Sequence, residues 1–244
     1  MKIVLIIRRN KEYYLDNNIN LDKILRNPLW KQSVQNMIKT WNFCFNMKYI
    51  DFRIKLRNIA FRTFEKNDFD EIIPYFNMKK YNTLKKGTLV IPIDEDDWLS
   101  PNLTKTLRKI KEPFEKVYWD ITYKTTKFEP ESQTLKNNNS NYTYSCAYGI
   151  KVPHPFVVLK WHYYFKKEKA YYIPKVLACK HTNIASLSTF HDMAKQKNTL
   201  IDLINFAKYQ ISNPTIYSKE FKKEGNLYKK LLQELIDSCK LRSI

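Results

Sequence analysis

Glycine is almost missing from this chain: of 244 residues only Gly87, Gly149 and Gly225 are glycine. Phosphate loops of the P-loop and dinucleotide kinds need several glycines within a few residues, so that backbone N–H groups can close on the phosphate. Neither can be written here, and a nucleotide would have to be held by another device. Cysteine is also sparse. Cys44, Cys146, Cys179 and Cys239 lie far apart with no CxxC pair, which excludes zinc-finger and thioredoxin-like spacings. Scattered thiols of this kind fit a reducing compartment, and a cytoplasmic location is expected. No stretch reaches the roughly 20 apolar residues that a membrane span requires. The apolar run in MKIVLIIRRN is too short for a signal peptide and is closed at once by Arg8 and Arg9, so it reads as a buried first strand.

What is present suffices for a folded core. Hydrophobic residues make up 43% and aromatics 15%, which argues against general disorder. The length fits one α/β domain, or a domain with a helical appendage. The net charge is +19. Nucleic acid, an anionic membrane surface and phosphorylated substrates are all compatible with such a charge. So is a Lys- and Asn-rich composition inherited from an AT-rich coding genome.

Along the chain, residues 2–7 (KIVLII) read as a central, parallel-type strand, apolar on both faces. In LWKQSVQNMIKTWNFCF the residues Leu29, Val34, Met37, Ile38, Trp41 and Phe45 fall at helical spacing, with Pro28 near the start. The stretch from Tyr49 to Phe64 mixes apolar and basic residues so that helix and strand compete. Asp68 to Phe76 suggests a short helix. Strands are expected at 88–93, 116–123, 144–152 and 171–179, and a loop at the Asn- and Ser-rich 129–143. From Thr199 onward the periodicity is helical.

The chemistry concentrates at the end of one strand. The apolar run Thr88 to Ile93 stops in four consecutive acids, Asp94, Glu95, Asp96 and Asp97, followed by Trp98, Leu99, Ser100 and Pro101 and then a helix with Ser100 or Asn102 as its cap. Ligands of α/β sheets gather at the carboxyl ends of strands. Four adjacent carboxylates repel one another unless cations or solvent neutralise them, and Mg²⁺ or Mn²⁺ is a natural partner for carboxylate oxygen and phosphate together. An exposed acidic turn that complements the dipole of the following helix is the plainer alternative.

The stretch Leu89-Val-Ile-Pro-Ile-Asp-Glu-Asp-Asp-Trp-Leu-Ser-Pro-Asn-Leu resembles the DxD strand end of GT-A glycosyltransferases, especially family 2-like enzymes and rhamnosyltransferases. The resemblance covers about fifteen residues. It implies an α/β, GT-A-like, Rossmann-type mixed sheet flanked by helices in residues 1–198, with a helical C-terminal extension in 199–244. It also implies a hexosyltransferase that uses Mn²⁺ or Mg²⁺ and a nucleotide-diphosphate sugar as donor. Asp94 and Asp96 would be the DxD pair: Asp96 on the metal, Asp94 on the ribose or on metal-bound water, with Asp97 as a further acid at the metal. Arg8 and Arg9, closing the first strand, would contact the diphosphate, because guanidinium groups favour bidentate phosphate contacts. His181, in the segment Cys179 to Ser186, would be a late metal or diphosphate ligand, with Lys180 and Asn183 beside it.

An inverting transfer needs a carboxylate base. The Glu-Asp pair by which that family marks its base has no counterpart here, so Asp192 is taken, with Asp120, Glu129 and Glu131 as rivals. The acceptor would be a glycan, lipid or protein hydroxyl. The aromatic and basic run Trp161 to Lys167 could stack sugars or bases, or form core and rim. Lys219, Lys222, Lys223, Lys229 and Lys230 could bring the C-terminal helix into peripheral contact with an anionic membrane, or simply be solvated. Two other classes stay open: a nucleic-acid-binding or metal-dependent nucleic-acid-processing protein, and an inactive transferase-like scaffold. No recognisable nucleic-acid motif is present, so nucleic acid is not the expected partner.

Overall fold

The computed structural model describes residues 1–8, 28–74, 83–123, 133–135, 145–152, 169–181, 183–186, 200–212 and 219–239. These fall into two compact units. One contains residues 1–8, 60–74, 83–123, 133–135, 145–152 and 169–181; the other contains 28–59, 183–186, 200–212 and 219–239.

The first unit is α/β. Among the described residues one mixed sheet holds eight strands: β1 (Ile3–Arg8), β2 (Glu71–Pro74), β3 (Leu89–Asp94), β4 (Trp98–Leu99), β5 (Lys116–Tyr123), β6 (Gln133–Leu135), β7 (Tyr148–Lys151) and β8 (Tyr171–Lys180). Their order is β2-β1-β3-β7-β5-β8-β4, with β6 paired to β5. β2, β1 and β3 are mutually parallel, β7 runs against both β3 and β5, β8 is parallel to β5, and β4 is antiparallel to β8. Arg8, Asp94 and Lys180 therefore all end strands that point the same way.

The first strand behaves as its sequence demands. Ile3 to Ile7 are all buried, as expected for a strand covered on both faces. On one face Val4, Ile6, Ile73, Val90, Tyr148 and Ile150 form a continuous apolar cluster. Pro92 is tolerated inside β3 because β7 pairs only with Leu89 and Val90, so the missing N–H lies beyond that ladder. Pro174 in β8 sits where the pairing with β5 slips its register near Trp119 and Asp120. Irregular pairing of this kind accommodates proline within a strand.

Several expectations change. Residues 71–74 are strand β2 rather than part of a helix: Ile72 and Ile73 pair in parallel with Leu5 and Ile6, and this pairing outweighs a weak local signal. The 129–143 loop contains β6 at 133–135, and the strand expected from Tyr144 is shortened to β7 behind a 3₁₀ turn at Ser145–Ala147. The helix after the acidic turn, α3 (Leu103–Arg108), has Asn102 at its N-cap without a side-chain capping bond. Among the described residues two helices precede it, α1 (Pro28–Cys44) and α2 (Tyr49–Phe64). The ambiguous Tyr49–Phe64 stretch is thus helical, and its last turn, from Ala60, belongs to the first unit.

In the second unit α1 and the first three turns of α2 share an aromatic cluster. Trp41 lies 5.1 Å from Phe45, 5.7 Å from Tyr49 and 5.2 Å from Phe52, ring centre to ring centre. The C-terminal helices α4 (Leu200–Ser212) and α5 (Lys222–Asp237) are present as the periodicity implies. They meet through the Tyr228 hydroxyl, which donates to Gln210 Oε1 at 2.8 Å. Lys222, Lys223 and Lys230 stay exposed. Among the described residues no helix is long and apolar enough to cross a membrane.

Candidate functional site

The in-register pairing of β1 with β3 sets Arg8 directly beside Asp94. The guanidinium grips the carboxylate with two parallel bonds, Nε to Oδ1 and Nη2 to Oδ2, the latter at 2.7 Å. Such a fork is the strongest geometry an Arg–carboxylate pair adopts. From the end of β8, Lys180 Nζ donates to Asp94 Oδ2 at 2.7 Å and to Asp97 Oδ2 at 3.0 Å. The backbone N–H of His181 closes the set on Asp97 Oδ1 at 2.9 Å. Asp97 is fully buried, whereas the side chains of Asp94, Lys180 and Arg8 keep 17%, 24% and 38% of their exposure.

Charge explains why this knot holds. Burial alone would raise Asp94, but Lys180 and Arg8 overcome it and hold the carboxyl far below the ordinary range. For Lys180 burial opposes the charged form and Asp94 and Asp97 outweigh it, so the ammonium is held well above its usual value. Asp97 goes the other way: burial pushes it up to about 7, Lys180 opposes this, and Asp94 and Asp96 add to the rise. Arg8 is raised too, since Asp94 outweighs its burial.

The turn itself is fixed from below. Asp97 N donates to Asp94 O at 3.2 Å, and β4 then pairs Trp98 with Cys179 and Leu99 with Ala178. Leu99 N donates to Thr63 Oγ1 at 3.0 Å, and Asn67 Nδ2 donates to the carbonyls of Thr63 and Ser100, both at 3.0 Å. The sequence carries no signal for Thr63 or Asn67 as supports of the turn, because the residues they hold there, Leu99 and Ser100, lie 36 and 33 residues away.

Comparison of the chain with protein-family models, curated proteins and solved structures finds no match.

The expected residues are brought together only in part. Arg8, Asp94 and Asp97 converge, with Asp96 near enough to contribute to the fields at Arg8, Asp97 and Lys180. His181 joins through its backbone, while its ring stacks on Trp98 at 4.2 Å. Lys180, read from the sequence only as a neighbour, is the centre of the arrangement. Asn183 lies in the second unit, where its Oδ1 accepts the N–H of Ala185 at 3.0 Å. Arg9, Asp192, Glu129, Glu131 and the run Trp161 to Lys167 lie outside the described residues. Asp120, the described rival for the base, is buried, and both its oxygens accept the Tyr172 hydroxyl, at 2.8 and 2.9 Å.

The donor set around Asp94 and Asp97 is filled rather than open to a divalent ion. Among the described residues no group of three or more His, Cys, Asp or Glu side chains is arranged to hold one. Both oxygens of Asp94 and both of Asp97 already accept bonds from Arg8, Lys180 or His181 N. As they stand, these residues do not fit a hydrated Mg²⁺ or Mn²⁺.

Proposed function

We propose that the chain is a glycosyltransferase of the GT-A type, moving a sugar from a nucleotide-diphosphate donor to a hydroxyl acceptor. The observation that carries this reading is the meeting of Arg8, Asp94 and Lys180 at the carboxyl ends of β1, β3 and β8. In α/β sheets that edge is where ligands bind. The mixed sheet and the strand-to-acidic-turn segment supply the two features expected of such a transferase at one place.

In this reading Arg8 and Lys180 face the diphosphate. Their partly exposed heads present positive charge to the leaving group, which gains negative charge as the glycosidic bond to phosphate breaks. Asp94 does not ligate the donor phosphate; it fixes the orientation of both cations, and the turn that Asp97 anchors sets the floor of the site. Preorganised donors of this kind lower the barrier because they need not reorient during the reaction.

The test is calorimetric titration of the purified chain with uridine, guanosine, thymidine and cytidine diphosphates, each with and without Mn²⁺. Binding of one of them, weakened at least about tenfold by Arg8→Ala, is the expected result. Absence of binding to all four, together with tight DNA or RNA binding that falls steeply with salt, would replace this reading with nucleic-acid binding.

A further inference from the structure

We propose that Lys180 is a resident cation standing where the acidic turn would otherwise need a divalent metal, so that donor binding proceeds without one. The part concerning the donor rests on the transferase reading above; the part concerning the cation does not.

The geometry is specific. One ammonium bridges two carboxylates that are three residues apart, at 2.7 Å to Asp94 and 3.0 Å to Asp97. Bridging two carboxylates across a tight turn is what a divalent ion does in an acidic site. Here an N–H donor does it from the end of a neighbouring strand. A metal entering the same space would have to displace Lys180 from both oxygens, or sit beside a fixed positive charge and be repelled by it. Arg8 blocks the remaining side of Asp94 with its own two bonds. Asp97 has no solvent-exposed surface at all, which leaves no path for an ion that sheds its water reluctantly.

The ammonium is not used up by this role. Two of its three hydrogens are engaged among the described residues, and about a quarter of the side chain stays exposed. Arg8 is similarly engaged on one edge, with its side chain 38% exposed. A phosphate oxygen can therefore be met by donors whose orientation the two aspartates have already fixed.

Two titrations test the proposal. In the first, Mn²⁺ alone is added to the chain and free Mn²⁺ is followed by electron paramagnetic resonance. Wild type is expected to leave Mn²⁺ free. Lys180→Ala, in which Asp94 and Asp97 lose their shared ammonium, is expected to bind Mn²⁺ at least about tenfold more tightly than wild type. Wild-type binding that is abolished by Asp94→Asn and by Asp97→Asn would overturn the proposal. Should Lys180→Ala fail to fold, the wild-type arm still decides, and Lys180→Arg, which keeps a cation in place, should bind no Mn²⁺ either.

In the second, nucleoside diphosphates are titrated in the presence of EDTA. Binding that survives EDTA and is weakened in Lys180→Ala supports the proposal. Binding that appears only when Mn²⁺ is supplied overturns it and leaves the transferase reading standing. Absence of binding under either condition sinks the transferase reading, and the Mn²⁺ titration alone then decides whether Lys180 takes the place of a metal.

Discussion

The rings of Trp98 and His181 lie 4.2 Å apart and 22° from parallel, and both residues are buried. Trp98 begins β4, the strand that carries the chain away from the acidic turn, and His181 follows directly on Lys180. The stack thus ties the two segments that supply Asp97 and Lys180. A late histidine in such a sequence reads as a metal ligand; here its ring lies against an aromatic face and its backbone N–H serves Asp97. His181→Phe, which can keep the stack, should cost less than about 1.5 kcal/mol in urea unfolding. His181→Ala, which opens a hole beside Trp98, should cost about 3 kcal/mol. If the two variants lose equal stability, the imidazole nitrogens matter more than the stack, and a ligand role returns.

Asp120 and Tyr172 give a prediction that depends on pH. The Tyr172 phenol is pushed up to about 12 by burial and by its hydrogen bond to Asp120. The folded state holds this proton more tightly than the unfolded chain, whose tyrosine titrates near 10.0. Its stabilising contribution is therefore complete below about 10, and is lost as pH rises through about 12. In a phenolate absorbance titration, Asp120→Asn should bring one tyrosine back toward its ordinary value. No such movement would show that Asp120 does not hold the Tyr172 proton, and would leave that carboxylate better suited to serve as a base.

The acidic strand end was legible because it stacks three local signals: a buried apolar run, a sudden block of charge, and a helix start. β1 was legible for the same reason. Tyr49 to Phe64 was not, since Phe52, Ile54 and Leu56 repeat at a strand-like spacing while the buried set Tyr49, Phe52, Leu56, Ile59 and Ala60 follows the helical one. Ile54 is only half-buried, and a sequence cannot reveal which of two overlapping patterns packing will choose. Residues 71–74 were misread because four residues carry too little period, and parallel pairing with β1 decides their state. Lys180 was seen but its role was not: its two carboxylates lie 86 and 83 residues away along the chain. Only the sheet order brings them within reach.

Asn67 shows how the support beneath the site can be tested apart from its charges. Its Nδ2 donates to the carbonyls of Thr63 and Ser100, while its Oδ1 accepts the backbone N–H of Thr104 at 3.2 Å. The side chain is buried, so one amide ties the end of α2, the segment after β4 and the first turn of α3 with little help from water. Asn67→Ala takes one donor from each of two carbonyls, of which Ser100 O keeps the Leu103 N–H at 3.1 Å, and removes the Asn67 acceptor from the Thr104 N–H; it should cost about 3 kcal/mol in thermal or urea unfolding. Asn67→Asp should be worse at neutral pH. An ionised carboxylate keeps the acceptor but loses both donors, and sets negative charge against two carbonyl oxygens. On acidification the carboxyl regains one O–H donor, so the gap between the Asp and Ala variants should narrow as pH falls. A gap that does not change with pH would mean that the aspartate has swung out to solvent, and that the hub depends on packing rather than on its donors. Because Ser100 follows β4 directly, loosening this hub should also weaken nucleoside diphosphate binding without altering any residue of the Arg8–Asp94–Lys180 set.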